Sequence, residues 1–313
     1  MTSARTPLIV IAGPTASGKT GAALRLARSL GGELIGADSV QVYRGFDIGS
    51  AKPTREELDG VAHHLIDVID PDEAIDAMRF ARLADAAIES IATRGNVPIV
   101  VGGTGLWIRA LVRGLVDVPL PDPEVRARLE DRAAREGAPA LHARLAQVDP
   151  TSAESIHPND ALRIVRALEV FEQTGRPLGE LRREHALGAP RHPTLFVVLQ
   201  AKGHAHDATI EKRIDAMIDH GWVEEVRGLL DRWAPDARAF GSVGYREMVA
   251  HVLDGISLED TKRAIRKSTR LYARRQRTWF AGEPGVTWTT DAASLAGAEG
   301  LARARAHVHG SAS

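Results

Sequence analysis

The chain has 313 residues, 44% of them hydrophobic and 26% charged, with a formal net charge of -1: an ordinary soluble composition, long enough for one large domain or two smaller ones. It contains no cysteine, which excludes disulfides, thiolate nucleophiles and cysteine-ligated metals. No apolar run approaches membrane-spanning length and the N-terminal run is too short for a signal sequence, so a cytoplasmic protein with no membrane partner is expected.

Residues 8–12, Leu-Ile-Val-Ile-Ala, form a short apolar run that predicts a buried parallel strand. Directly after it, Gly13-Pro14-Thr15-Ala16-Ser17-Gly18-Lys19-Thr20 fits the spacing G-x-x-x-x-G-K-[ST], and a helical stretch follows. Strand, glycine loop and helix in that order make a phosphate cradle. Backbone amides curl around the anion, the helix N-terminus adds partial positive charge, and the lysine and hydroxyl reach further along it.

Gly31-Gly32 closes the helix, and residues 33–37 predict a second strand that delivers Asp38 at its C-terminal tip, the edge where open parallel sheets place their chemistry. From the residues alone Asp38 is either a site carboxylate or a helix cap. Residues 39–53 lack a clean period and mix glycine, aromatic and basic residues, as functional loops do. His63-His64 precedes an expected strand over 65–71; adjacent histidines face opposite ways on a strand, which disfavours a metal pair. A helix is expected over 72–94 and another buried strand over 97–101, ending in Gly102-Gly103-Thr104-Gly105. The alternation indicates a doubly wound α/β core. Nucleotide hydrolases of this class end that strand in a metal-holding aspartate; here glycines and Thr104 stand there, which favours binding a phosphate-bearing substrate without hydrolysing ATP. Thr104 itself is either a site hydroxyl or a turn hydroxyl.

Prolines 119, 121 and 123 mark a linker, after which helices are expected over 124–136, 139–148 and 160–173, until 194–200 returns to a strand. This predicts a helical insertion over 119–190 within a sheet domain made of 1–118 and 191–290, followed by a peripheral tail over 291–313. Helices are expected over 210–219 and 222–233, and a loop over 240–246. Residues 261–280 hold eight Lys or Arg and no acid, with Arg263, Arg266, Arg270, Arg274 and Arg277 on one helical face and Ile265, Tyr272 and Trp279 opposite. Such a face suits an anionic partner, and RNA is the natural one because arginine binds phosphate bidentately and stacks on bases.

These landmarks together resemble the tRNA dimethylallyltransferases, also called tRNA isopentenyltransferases. The matching stretches are GPTASGKT at 13–20, DSVQVYRGFDIGSAKP at 38–53, HHLIDVIDP at 63–71, VGGTGLWIRAL at 101–111 and DPEVRARLE at 122–130. HPNDALRIVRALEVFEQTG at 157–175, VGYREM at 243–248 and RRQRTWF at 274–280 complete the series, which covers nearly the whole chain to about residue 290.

The resemblance implies a P-loop NTPase-like parallel sheet with an inserted helical domain that clamps tRNA. It implies transfer of a dimethylallyl group from dimethylallyl diphosphate to N6 of the adenosine beside the anticodon, with release of pyrophosphate. Residues Gly13 to Thr20 and Arg213 would then bind the diphosphate, with Thr20 on Mg2+. By the same resemblance Asp38 is the general base or amine acceptor, and Thr104 and Arg126 match site positions. Segments Ser39-Val40-Gln41, Leu162-Arg163-Ile164-Val165-Arg166, Gly241-Ser242-Val243-Gly244-Tyr245-Arg246 and Arg274-Arg275-Gln276-Arg277 fall where relatives contact tRNA. A monomer is expected. Four positions depart from the family pattern: Ile75-Asp76 replaces a Tyr-Ser pair, Trp107 replaces a tyrosine, and Thr209 replaces the first of two arginines whose second is Arg213. The competing readings are an adenylate or ADP isopentenyltransferase, an RNA-binding relative without catalysis, and a small-molecule kinase.

Overall fold

A computed structural model describes residues 6–185 and 190–310. Residues 1–5, 186–189 and 311–313, assigned above to the sheet domain, the insertion and the tail, lie outside the described residues. The chain divides into two units, Met1–Val112 with Pro190–Ser313, and Arg113–Ala189.

The first unit is built on six parallel strands in the order β3-β2-β4-β1-β5-β6. They are β1 (Leu8–Ala12), β2 (Gly32–Ala37), β3 (His63–His64), β4 (Val97–Gly102), β5 (Thr194–Leu199) and β6 (Thr287–Thr289). β1 lies between β4 and β5, with Val10 opposite Val100 on one side and Phe196 on the other, and every residue of β1 is buried, as an uninterrupted apolar run requires. Helices pack on the sheet. α1 (Lys19–Leu30) buries Ala22, Ala23, Leu26 and Ala27 and stops at Gly31, whose left-handed φ of 61° closes its C-terminus. A single turn, α2 (Arg55–Leu58), precedes β3. α3 (Ala77–Thr93) buries Phe80, Ala84, Ile88 and Ile91 at helical spacing, and Asp76 caps it by accepting from the Arg79 N–H at 2.7 Å. α4 (Gly105–Arg113) follows β4.

The expected strand over 65–71 is corrected: only His63 and His64 pair with β2. Leu65 and Asp67 take left-handed φ values of 61° and 54°, which end the strand. The N–H groups of Val68 and Ile69 turn instead to the carbonyl of Val42, so the segment lines up beside the loop that follows Asp38.

The second unit is helical: α5 (Pro123–Glu136), α6 (Ala138–Val148), α7 (Pro150–Ser155), α8 (Ala161–Thr174) and α9 (Leu178–His185). It closes around its own core of Leu129, Leu141, Leu145, Ile164, Val165 and Leu168. The proline-rich span belongs to this unit, which begins at Arg113, six residues before the expected 119. Arg166 donates to the Pro119 carbonyl at 2.6 Å and Gln173 to that of Leu120 at 3.1 Å, so the span is tied to α8 rather than left as a free linker.

Back in the first unit, α10 (Gly203–Asp219) starts seven residues before its expected position, and α11 (Trp222–Leu230) follows. The expected loop over 240–246 runs into a further helix, α12 (Tyr245–Asp254), and α13 (Leu258–Ala281) carries the basic segment. The C-terminal segment is not peripheral. Just before the expected tail, β6 extends the sheet beside β5; within the tail, α14 (Ala298–Gly310) buries Ala304 in the core that covers α1, while His307 Nε2 sits 3.1 Å from the Leu8 carbonyl oxygen.

Candidate active site

All six strands run the same way, so the loops after β1, β2, β4 and β5 gather at one edge. The phosphate loop leaves β1 at Gly13, where a Cβ would lie 2.9 Å from Ser17 Oγ and 3.0 Å from the Leu199 carbonyl; only a glycine fits between β1 and β5. Ala16 and Gly18 take left-handed φ values of 59° and 79°, the curl that points successive amides inward. α1 then begins at Lys19 with no side-chain cap and no acid in its first turn, leaving its amides for an anion. Its hydroxyl residue Thr20 lines the same cavity.

That cavity, of about 300 Å³, is lined entirely by the first unit. Thr15, Ala16, Lys19 and Thr20 of the phosphate loop contribute to it, as do Asp38, Ser39, Val40 and Gln41 after β2 and Arg213 from α10. Burial lowers the Lys19 ammonium to a pKa of about 8, with the Asp38 carboxylate opposing that shift and the Arg213 guanidinium adding to it. Arg213 is likewise lowered by burial and supported by Asp38. Two cations therefore face one carboxylate, and the surplus positive charge suits a polyanion.

Asp38 lines the cavity and also caps the turn that follows it. Its Oδ1 accepts from the N–H groups of Val40 at 2.9 Å and Gln41 at 3.3 Å, a turn-capping role, while Oδ2 takes no hydrogen bond among the described residues. Thr104 Oγ1 accepts from the Ser39 N–H at 3.1 Å and joins the β2 and β4 tips. Between those strands a Cβ at Gly102 would fall 2.1 Å from the Ala37 carbonyl, so the position where hydrolases carry a metal aspartate has no room for any side chain here. Among the described residues no cluster of three His, Cys, Asp or Glu could hold a metal.

Apolar residues close the opposite wall: Ile210, Ile214 and Met217 along one face of α10, Trp222 from α11 and Ile265 from α13. Trp222 is buried between two glycines, Gly49 and Gly244, where a Cβ would meet its ring at 2.1 and 2.6 Å. The sequence reading missed this wall, although the 210, 214, 217 spacing signals one helical face. Tyr272, read in the sequence only as part of the face opposite the arginines, lines the cavity as well, and burial and the Asp38 carboxylate drive its hydroxyl up in pKa. His63 lines the cavity too, its pKa lowered to about 4 by burial and by His64; neither ring nitrogen has a partner among the described residues.

Several residues expected to contact tRNA have internal side chains or line the cavity. Tyr245 is fully buried, packs on Phe46 and Trp222, and donates its hydroxyl to Glu225 at 2.7 Å. Gln276 is buried: the Thr15 N–H donates to its Oε1 at 2.8 Å, and its Nε2 donates to the Gly103 carbonyl at 3.0 Å. Ile164 and Val165 lie in the core of the helical unit. Gly241, Ser242, Val243 and Gly244 line the cavity. Exposed are Leu162, Arg163, Arg246, Arg274 and Arg275, with Arg163 paired to Asp160 and Arg246 to Glu247. Arg277 donates to the Ala201 carbonyl at 3.3 Å. In the helical unit Arg126 and Arg166 share Oε2 of the fully buried Glu169, at 2.9 and 2.8 Å.

The departures have local accounts. Asp76 caps α3 and Ile75 is buried. Trp107 stacks on Phe80 with centroids 4.6 Å apart. Thr209 is exposed and bonded to the Ala205 carbonyl, outside the cavity, and neither Lys202 nor Lys212 lines it.

A family model described as IPP transferase matches residues 41–283. The chain belongs to the IPP transferase family. The match begins after the phosphate loop and Asp38. A tRNA dimethylallyltransferase of Sorangium cellulosum is 51% identical over 273 residues, 87% of each chain. Among solved structures, the tRNA isopentenylpyrophosphate transferase of Bacillus halodurans superposes with a TM-score of 0.71 at 36% identity over 98% of both chains. A eukaryotic dimethylallyltransferase acting on tRNA does so with a TM-score of 0.77 at 28% identity, over 96% of this chain and 77% of that one. The core is thus P-loop NTPase-like, as the IPP transferase family requires.

Proposed function

We infer that this IPP transferase family member moves a dimethylallyl group from dimethylallyl diphosphate to the exocyclic N6 of the tRNA adenosine beside the anticodon. The observation that carries the reading is the joint lining of one cavity by Lys19 and Arg213, by Asp38 and by the apolar wall from Ile210 to Ile265. Such a cavity matches a ligand with an anionic head, a short hydrocarbon tail and an amine acceptor next to the carboxylate.

In that reaction N6 forms a bond to C1 of the donor as the C1–O bond to diphosphate breaks. Lys19, Arg213 and the loop amides from Ala16 to Thr20 take the charge that develops on the leaving diphosphate, and their fixed placement means little reorganisation is needed. Asp38 holds the amine proton through Oδ2 and accepts it as the new bond forms. Its Oδ1, tied to two backbone amides, keeps the carboxylate oriented. The apolar wall excludes water from the allylic carbon and disfavours hydrolysis. With no cluster of protein ligands among the described residues, Mg2+ would be held by the Thr20 hydroxyl together with donor phosphate oxygens and water, neutralising diphosphate charge.

Arg163 and Arg166 of the helical unit, with Arg274 and Arg275 of α13, are the cations this reading assigns to tRNA phosphates. The target base would be drawn out of the anticodon loop into the cavity mouth formed by Ser39 to Gln41 and Gly241 to Gly244. The cytoplasm, where tRNA resides, is the compartment that follows.

The test is mass analysis of tRNA nucleosides after incubation with dimethylallyl diphosphate and Mg2+. A five-carbon unit added to one adenosine, with one pyrophosphate released per transfer, is expected. Modification of free AMP or ADP with none of tRNA would refute the assignment to tRNA.

A further inference from the structure

Position 276 lies in a segment whose neighbours, Arg274 and Arg275, are exposed cations, yet its side chain does something else. Gln276 is only 6% exposed and points into the sheet edge. Its carboxamide spans two site loops that are remote in sequence: it accepts from Thr15 N–H in the phosphate loop and donates to the Gly103 carbonyl after β4. Only this orientation of the amide satisfies both bonds. The Thr15 peptide is held from its other end as well, since its carbonyl accepts from Nε2 of the buried His206 on α10 at 2.8 Å. Space confirms how tight the fit is. A Cβ on Gly103 would fall 2.2 Å from Gln276 Nε2. On the same helix, Trp279 packs where a Cβ on Gly105 would lie 2.0 Å from its ring.

We propose that Gln276 is a positioning residue that locks the phosphate loop to the Gly103-Thr104 loop, and so sets the distance between the leaving diphosphate and the amine held at Asp38. It makes no contact with RNA. The proposal rests on the transfer reaction inferred above. The physical basis is that an in-line displacement tolerates little misplacement of the leaving group relative to the nucleophile. A carboxamide that ties both loops removes the relative motion which the glycines of each loop otherwise permit.

The experiment measures donor KM, kcat and tRNA affinity across salt concentrations for wild type, Gln276→Ala, Gln276→Glu, Gly103→Ala and the double variant. Gln276→Ala should lower kcat/KM for dimethylallyl diphosphate by roughly 10–100-fold, with tRNA Kd and its salt slope unchanged. Gln276→Glu keeps the acceptor for Thr15 and loses the donor to Gly103, so it should fall between wild type and alanine. Gly103→Ala, which displaces the carboxamide without removing it, should reproduce the defect. In the Gln276→Ala background the Gly103 substitution should then cost clearly less than in wild type, because the 2.2 Å contact has gone and only the 3.2 Å approach to the Gly13 carbonyl remains. Additive losses would overturn the proposal, as would a Gln276→Ala variant that weakens tRNA binding and flattens its salt slope with an unchanged donor KM. Absence of transfer by the wild-type protein would count against the inferred reaction, whereas normal wild-type transfer with an unaffected Gln276→Ala variant counts against Gln276 alone.

Discussion

Arg266 of α13 donates to the carboxylate of Asp215 on α10 at 2.8 Å. The basic helix is therefore partly neutralised from within: Arg270 pairs with Glu211 and Arg263 with Asp260. Arg274 and Arg275 are exposed and have no acidic partner among the described residues. Changing Arg274 and Arg275 to alanine should weaken tRNA binding and flatten the log-log salt dependence by about one unit each, read by filter binding or fluorescence titration across salt concentrations. Arg266→Ala should leave that slope unchanged and lower thermal stability instead, because it strands Asp215.

Asp38→Asn preserves an oxygen for the Val40 and Gln41 amides but removes the proton acceptor. Single-turnover transfer should fall by about 10²-fold or more while tRNA affinity stays within about twofold. Near-normal turnover in this variant would remove Asp38 from the chemistry.

Gly49→Ala places a methyl group against the Trp222 ring, where a Cβ would lie 2.1 Å from Nε1. Overpacking of this kind costs roughly 1–3 kcal/mol. Because Trp222 forms part of the apolar wall, the variant should also show a raised donor KM with tRNA affinity retained, a combination that a stability loss alone does not produce. Denaturant unfolding and donor titration check the two parts separately.

At the far end of β2 the Glu33 carboxylate accepts from Arg94 at 3.0 and 2.7 Å, from Asn96 at 2.7 Å and lies 2.6 Å from His64 Nε2. These partners, Arg94 foremost, lower its pKa from 4.5 to about 2. The folded state thus holds the proton less tightly than the unfolded chain, so the stabilisation is complete above pH 4.5 and is lost as pH falls towards 2. Discounted for the solvent screening of the exposed Arg94, its size at neutral pH is on the order of 1 kcal/mol. Glu33→Gln should be destabilised by a comparable amount at pH 7, and urea unfolding should show the difference from wild type shrinking across that acid window.

What could be read in the sequence was whatever sits within a few residues of itself. The phosphate loop, Asp38 at the tip of β2 and the strand-helix alternation depend on local spacing, and all three stand where that spacing puts them. Gln276 could not be read the same way, since its partner Thr15 is 261 positions distant and its neighbours in sequence are surface arginines. The same holds for the arginine stripe on α13. Its charges were visible, but the acids that cancel them belong largely to α10, which only packing brings alongside. The strand expected over 65–71 failed because apolar alternation carries no warning of the left-handed backbone at Leu65 and Asp67, neither of them a glycine.

The helix at 298–310 bears on how the molecule comes into being. Leu8 and His307 are joined across 299 positions, and Ala304 completes the cover over α1, the helix that begins at the phosphate loop. During synthesis the first strand and its helix emerge long before residues 298–310, and one flank of their core stays open to water until that helix leaves the ribosome. A nascent chain that pauses near residue 290 therefore displays a formed cradle on an unsealed domain, a natural client for chaperones and an early target for proteolysis.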